Sequence, residues 1–124
     1  MKENEEVRII VAGGRDFDNY GLLSSVLTEY IGSKEVVIIS GTARGADRLG
    51  ERFAADNGIE VRRFPANWNE YGKSAGIIRN CEMANYAGQA TGVLFAFWDG
   101  KSRGTKHMIT FAKKRGLEVH VVEY

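Results

Sequence analysis

At 124 residues the chain has the length of one domain, enough to bury roughly two-thirds of the surface its unfolded form exposes. Seventeen Lys and Arg against sixteen Asp and Glu leave a net charge of +1, so an anion site has to be built locally and not from a bulk basic field. A single cysteine excludes an internal disulfide, no apolar run approaches the ~20 residues of a membrane span, and the opening MKENEEVRII lacks the apolar segment of a signal peptide, so a cytoplasmic protein is expected.

The first six residues read as a frayed, charged tail. VRIIVA (7–12) is the first strand, followed by GGRDFD (13–18) and a helical stripe of Leu22, Leu23, Val26, Leu27, Tyr30 and Ile31. EVVIIS (35–40) runs into the glycine-bearing SGTARGADRLG (40–50), whose Ala46, Leu49, Phe53 and Ala54 form a second stripe. IEVRRF (59–64) is the third strand. The segment that follows, FPANWNEYGKSAGIIRNCEM (64–83), is less regular and holds the only proline, with Trp68 and Tyr71 as a lid, an oligomer contact or plain packing under a long loop. Ile77, Ile78, Cys81 and Ala84 make the third stripe, GVLFAF (92–97) the fourth strand, Met108, Ile109 and Ala112 the fourth stripe, and LEVHVV (117–122) the last strand. Lys113, Lys114 and Arg115 suit the negative end of the last helix. Gly32, Gly58, Gly88 and Gly116 stand where left-handed helix caps are expected.

Strand alternating with helix four times over predicts a Rossmann-like three-layer α/β/α sandwich, with a five-stranded parallel sheet and right-handed crossovers, as one domain over 1–124. Runs 1, 2 and 4 are nearly all apolar, whereas runs 3 and 5 carry Arg62, Arg63, Glu118 and His120. The charged runs belong at the edges, which favours the order 3-2-1-4-5 and a ligand crevice beyond the strand ends where the chain reverses direction.

The loops after strands 1, 2 and 4 open beside that crevice and hold Arg15, Arg44, Arg48 and Arg103. Their glycines let backbone N–H groups approach a ligand ahead of a helix N-terminus, which suits phosphate. The candidate ligand contacts are Gly13, Gly14, Arg15 and Asp16 in the first loop, and Ser40, Gly41, Ala43, Arg44, Gly45 and Asp47 in the second. In the third they are Trp98, Asp99, Gly100, Ser102, Arg103, Gly104 and Thr105, with Arg79 and Asn80 added from the third helix. For the third loop two readings stand side by side: Ser102 and Thr105 as hydroxyl donors with Trp98 as a stacking face, or Ser102 as a helix cap and Trp98 as core. Asp16 or Asp99 could hold a ribose hydroxyl; Asp47 is a helix-start acid or a catalyst. YGKSAG lacks the earlier glycine of a P-loop, and neither a Ser-His-acid arrangement nor metal-ligand spacing for His107, His120 and Cys81 is present, so no metal and no certain cofactor is expected.

GGRDF, SGTARGAD, the FPANW to AGIIRN segment and FWDGKSRGT, in this order and spacing, closely resemble the YspA-type, cpYpsA-related branch of the SLOG superfamily, over nearly the whole chain. The resemblance implies a Rossmann-like nucleotide-binding domain, related to Smf/DprA and to the Lonely Guy phosphoribohydrolases, in a branch frequent in bacteria and their phages. It implies a nucleotide or nucleotide-derived ligand, sensed or sequestered, with a role in defence systems and pairing into a homodimer or higher oligomer. In the enzyme relatives a Met-x-x-Arg-Lys block and a Pro-Gly-Gly-x-Gly-Thr-x-x-Glu block cleave an N-glycosidic bond. Here Arg79, Gly104 and Thr105 match those blocks, while Gly76, Asn80 and Met108 replace the methionine, lysine and glutamate. A thioether cannot supply the charge or proton of a carboxylate. A nucleotide N-glycosidase is therefore the alternative reading, with Arg79 and an acid such as Glu82 or Asp47 as catalytic residues, and single-stranded nucleic-acid binding the weaker second alternative, since near-neutral charge argues against it.

Overall fold

The computed structural model describes residues 6–124. Residues 1–5 of the expected tail lie outside the described residues, and Glu6 belongs to the fold: its carbonyl accepts the Thr91 N–H at 3.3 Å and its carboxylate pairs with Arg8 at 2.7 Å.

Five strands form one parallel sheet: β1 (Val7–Gly13), β2 (Val36–Ser40), β3 (Glu60–Arg63), β4 (Thr91–Trp98) and β5 (Glu118–Glu123), in the order β3-β2-β1-β4-β5. This is the order expected from the apolar and charged runs. The charged strands stand at the edges, where Arg62 pairs with Glu60, Arg63 with Glu51 and His120 with Glu118. Charged side chains there also discourage a further strand from adding.

Alternation along β1 divides the core into two layers. Ile9 and Val11 face one side and pack with Leu23, Leu27 and Ile31 of α1 (Tyr20–Ile31) and Phe53 and Ala54 of α2 (Ala46–Asp56). Ile10 and Ala12 face the other, against Met83, Ala84 and Ala87 of α4 (Ala75–Ala87) and Met108, Ile109 and Ala112 of α5 (Arg103–Lys114). The irregular segment before α4 contains a four-residue helix, α3 (Trp68–Tyr71), and a 3₁₀ turn at Gly72–Ser74. Asn19 caps α1 by accepting the Leu22 N–H, and Asn67 caps α3 by accepting the Glu70 N–H.

Of the four expected left-handed glycines, Gly32, Gly58 and Gly116 have positive φ, and Gly88 does not: its φ is −69°. Gly88 is small for a different reason. A Cβ there would lie 2.7 Å from the Arg115 guanidinium, which crosses from the end of α5 to hydrogen-bond Asn85. Among the described residues no helix is long and apolar enough to cross a membrane.

Candidate functional site

Of the loops after β1, β2 and β4, the first is bonded to the elements that flank the other two, the end of β4 and the start of α2. Gly14 donates its N–H to the Phe97 carbonyl at the end of β4 at 3.0 Å, and its own carbonyl accepts the N–H of Ala46, the first residue of α2, at 3.2 Å. Phe17 plugs the first loop into the core, 2% exposed and stacked 4.8 Å from Phe97. From the last position of the chain Tyr124 joins them, donating its hydroxyl to Asp16 at 2.6 Å.

These loops and the N-terminal half of α4 enclose a cleft of about 520 Å³. Gly13, Gly14, Arg15 and Asp16 line it from the first loop, and Ala43 and Asp47 from the second. Arg79 and Asn80 project from α4, with Asp99, Ser102, Gly104 and Thr105 from the third loop and the start of α5. A hollow of about 320 Å³ adjoins it, bounded by Gly41, Thr42, Arg44, Pro65 and Ala66, and sharing Arg15, Ala43, Trp68 and Arg79 with the cleft.

Six of the candidate ligand and catalytic residues line neither space, nor does Arg48 of the expected cationic cluster, which is exposed on α2. Ser40 is fully buried, donating to Glu51 at 2.7 Å while its oxygen accepts the Thr42 N–H at 3.0 Å. That bond holds Thr42 at φ 68°, an unusual conformation for a β-branched residue. Gly45 packs against the first loop. Trp98 lies on the same strand face as Leu94 and Ala96, packs at the rim of the α4/α5 core, and donates its indole N–H to the Ser102 carbonyl at 3.0 Å. Gly100 shapes the turn, Arg103 points into solvent at the start of α5, and Glu82 is exposed on α4. Trp98→Phe is therefore expected to cost about 1 kcal/mol of stability through the lost hydrogen bond. Affinity for any nucleotide should stay at the wild-type value, both read on one purified variant by denaturation and calorimetry.

The third loop is built by capping. Asp99 accepts the N–H groups of Lys101 and Ser102 at 2.8 and 2.9 Å, which lowers its pKa. Ser102 then caps α5, accepting the Thr105 N–H at 3.4 Å. Helix α4 is tied to this cap through Asn80, 7% exposed, whose amide reaches the Gly104 carbonyl at 3.4 Å and whose oxygen accepts from Arg79 Nε at 3.0 Å. The other end of the Arg79 guanidinium donates to the Gly41 carbonyl. Arg79 thus bridges α4 and the β2–α2 loop.

Gly41 is where Arg79 and Asp47 come together: a Cβ there would lie 2.6 Å from Arg79 Nη1 and 2.8 Å from Asp47 Oδ2. Asp47 is 5% exposed and accepts the Ala43 N–H at 3.2 Å. Burial pushes its carboxyl up to about 6, against the lowering influence of that N–H, Arg79 and Arg15. Burial likewise lowers the pKa of Arg79, with Asp47 opposing and Arg15 adding to the shift.

Trp68, Lys73, Gly76, Ile77, Met83 and Met108 also line the cleft without having been singled out as ligand contacts. Met83 and Met108 could have been found from strand and helix parity, since they share the face that covers Ala12. Trp68 and Lys73 fall in the irregular segment, where no period says which way a side chain points. Among the described residues no group of three or more His, Cys, Asp or Glu could hold a metal ion.

A family model described as the YspA, cpYpsA-related SLOG family matches residues 7–71. The Gene 61 protein of Mycobacterium phage D29 is 31% identical over 119 residues, covering 90% of this chain and 93% of that protein. Among solved structures, DNA processing protein A (DprA) from Streptococcus pneumoniae has the same fold, with a TM-score of 0.67 at 18% identity; the match covers 94% of this chain and 50% of that one. The chain therefore spans about half the length of that DprA structure. Matched by the family model over more than half its length and by a phage protein along nearly all of it, the chain belongs to the YspA, cpYpsA-related SLOG family.

Proposed function

We propose that the protein binds a nucleotide or nucleotide-derived ligand in the cleft at the C-terminal edge of the sheet, for sensing or sequestration. The observation that carries this reading is the convergence of three glycine-bearing loops on one cleft, with Arg15 and Arg79 on its wall and Arg44 beside it. Guanidinium forks and loop amides suit phosphate, and the Asp16 and Asp99 carboxylates suit sugar hydroxyls. The same reading takes the protein as cytoplasmic, as a homodimer or higher oligomer, and as part of a bacterial or phage defence system, all supported by the family's habits.

Titration calorimetry with nucleoside monophosphates, NAD, ADP-ribose and cyclic ADP-ribose isomers tests it. At least one is expected to bind below millimolar concentration, and Arg79→Met to weaken that binding about tenfold. No binding by any of them at millimolar concentration overturns the reading for this ligand class. A single-stranded oligonucleotide that binds better than all of them, with a steep loss in salt, would replace it.

One observation favours a second reading, hydrolysis of a nucleotide N-glycosidic bond. Met108, where the enzyme relatives have glutamate, lies in the cleft wall, and Glu82 lies outside it. Asp47 supplies a buried carboxyl that titrates at about 6, a value suited to a general acid. Release of free base from AMP, abolished in Asp47→Asn, would establish this reading; zero turnover would retire it for that substrate.

A further inference from the structure

The cleft and the hollow differ in charge. The cleft wall balances Arg15, Lys73 and Arg79 against Asp16, Asp47 and Asp99, whereas the hollow has Arg15, Arg44 and Arg79 with no acid at all. Arg15 and Arg44 are exposed and make no hydrogen bond or salt bridge among the described residues. Arg79 donates to a neutral carbonyl and forms no salt bridge among the described residues, so the nearby Asp47 carboxylate offsets its charge only in part. Gathering three guanidinium groups around one concavity in a chain of net charge +1 costs repulsion that an anion relieves.

The hollow exceeds the needs of a single phosphate, whose charge of about −1.5 to −2 near pH 7 also falls short of three guanidinium groups. The carboxylates of exposed Asp16 and half-buried Asp99 make the cleft the poorer place for further phosphates, while Met83, Met108 and Ile77 give it the apolar surface a base or sugar ring prefers. Trp68, 52% exposed, lines both spaces and so stands at their shared boundary.

Resting on the nucleotide reading, we infer that the hollow is a second subsite, one that binds anions. The ligand class is then a nucleotide whose nucleoside occupies the cleft and whose phosphate arm, of two or more phosphates, passes Trp68 to meet Arg44. Arg44 is the diagnostic residue, because it lines the hollow alone and its exposed loop position leaves the fold intact when it is truncated.

The test titrates wild type and Arg44→Ala with adenosine and guanosine, their mono- and diphosphates, and inorganic pyrophosphate. For one base, the diphosphate is expected to bind wild type about tenfold more tightly than the monophosphate, pyrophosphate to compete with it, and Arg44→Ala to remove most of that tenfold gap. Equal affinity for mono- and diphosphate in wild type, or an unchanged gap in Arg44→Ala, overturns the subsite while leaving nucleotide binding standing. Pyrophosphate binding that depends on Arg44, with no gain from any nucleoside, supports the subsite and removes the nucleotide reading. Failure of every probe to bind wild type overturns both.

Discussion

Replacing Gly45 by alanine is expected to lower stability by about 3–5 kcal/mol, the sum of backbone strain and a clash with main chain. Gly45 has φ 78° and ψ −129°, a region open essentially to glycine alone. A Cβ there would also lie 2.1 Å from the Gly14 carbonyl oxygen and 2.7 Å from the Arg15 carbonyl carbon. Neither obstacle is a side chain that can swing away, and Gly14 O is the acceptor that joins the first loop to α2. Gly100→Ala is the control: its φ is 82°, yet nothing lies within 4 Å of the added carbon. It should cost only about 1 kcal/mol, the left-handed penalty by itself. Urea denaturation of the two variants separates the contributions, and equal losses would mean that the loops do not approach as described.

Asp47→Asn is expected to stabilise the protein at pH 7, by about 1–3 kcal/mol. The folded state holds the Asp47 proton more tightly than the unfolded chain does, since burial moves the carboxyl from 3.8 to about 6. The stability owed to the protonated group is therefore fully present below pH 3.8 and is lost as pH rises through about 6. Near neutrality the ionised carboxylate opposes folding. Asparagine keeps an oxygen for the Ala43 N–H and removes the charge, so its advantage should shrink towards zero as pH falls to 4. Denaturation midpoints of wild type and variant at several pH values check this; a constant difference would contradict it. A charge kept in a cleft wall at the expense of stability is the pattern of functional sites.

Most of the fold was legible because burial on both faces leaves a strong mark. VRIIVA, VVII and GVLFAF are nearly all apolar, Arg62 and His120 mark the flanking strands, and together they imply the order that the sheet adopts. The glycine at 88 misled because a small residue after a helix reads the same whether it supplies a left-handed turn or space for Arg115. At the cleft, loop membership was readable and side-chain direction only partly so. Trp98 followed strand parity into the rim of the core, a signal present in the alternation of Leu94, Ala96 and Trp98. Trp68 had no such guide, because α3 is a single turn flanked by irregular chain. The approach of Asp47 to Arg79 joins residues 32 positions apart, and the sequence carries no local trace of it.

Since Gly14 is fastened to β4 on one side and to α2 on the other, the first loop cannot shift without breaking a bond to one of them. The first loop is thus a plate tied on both sides. Residues 65–74, in contrast, direct their main-chain and capping hydrogen bonds to themselves and the start of α4. A guest that needs more room must therefore find it by displacing the wall that carries Trp68, while the plate beneath sets the register of whatever part of the guest arrives first.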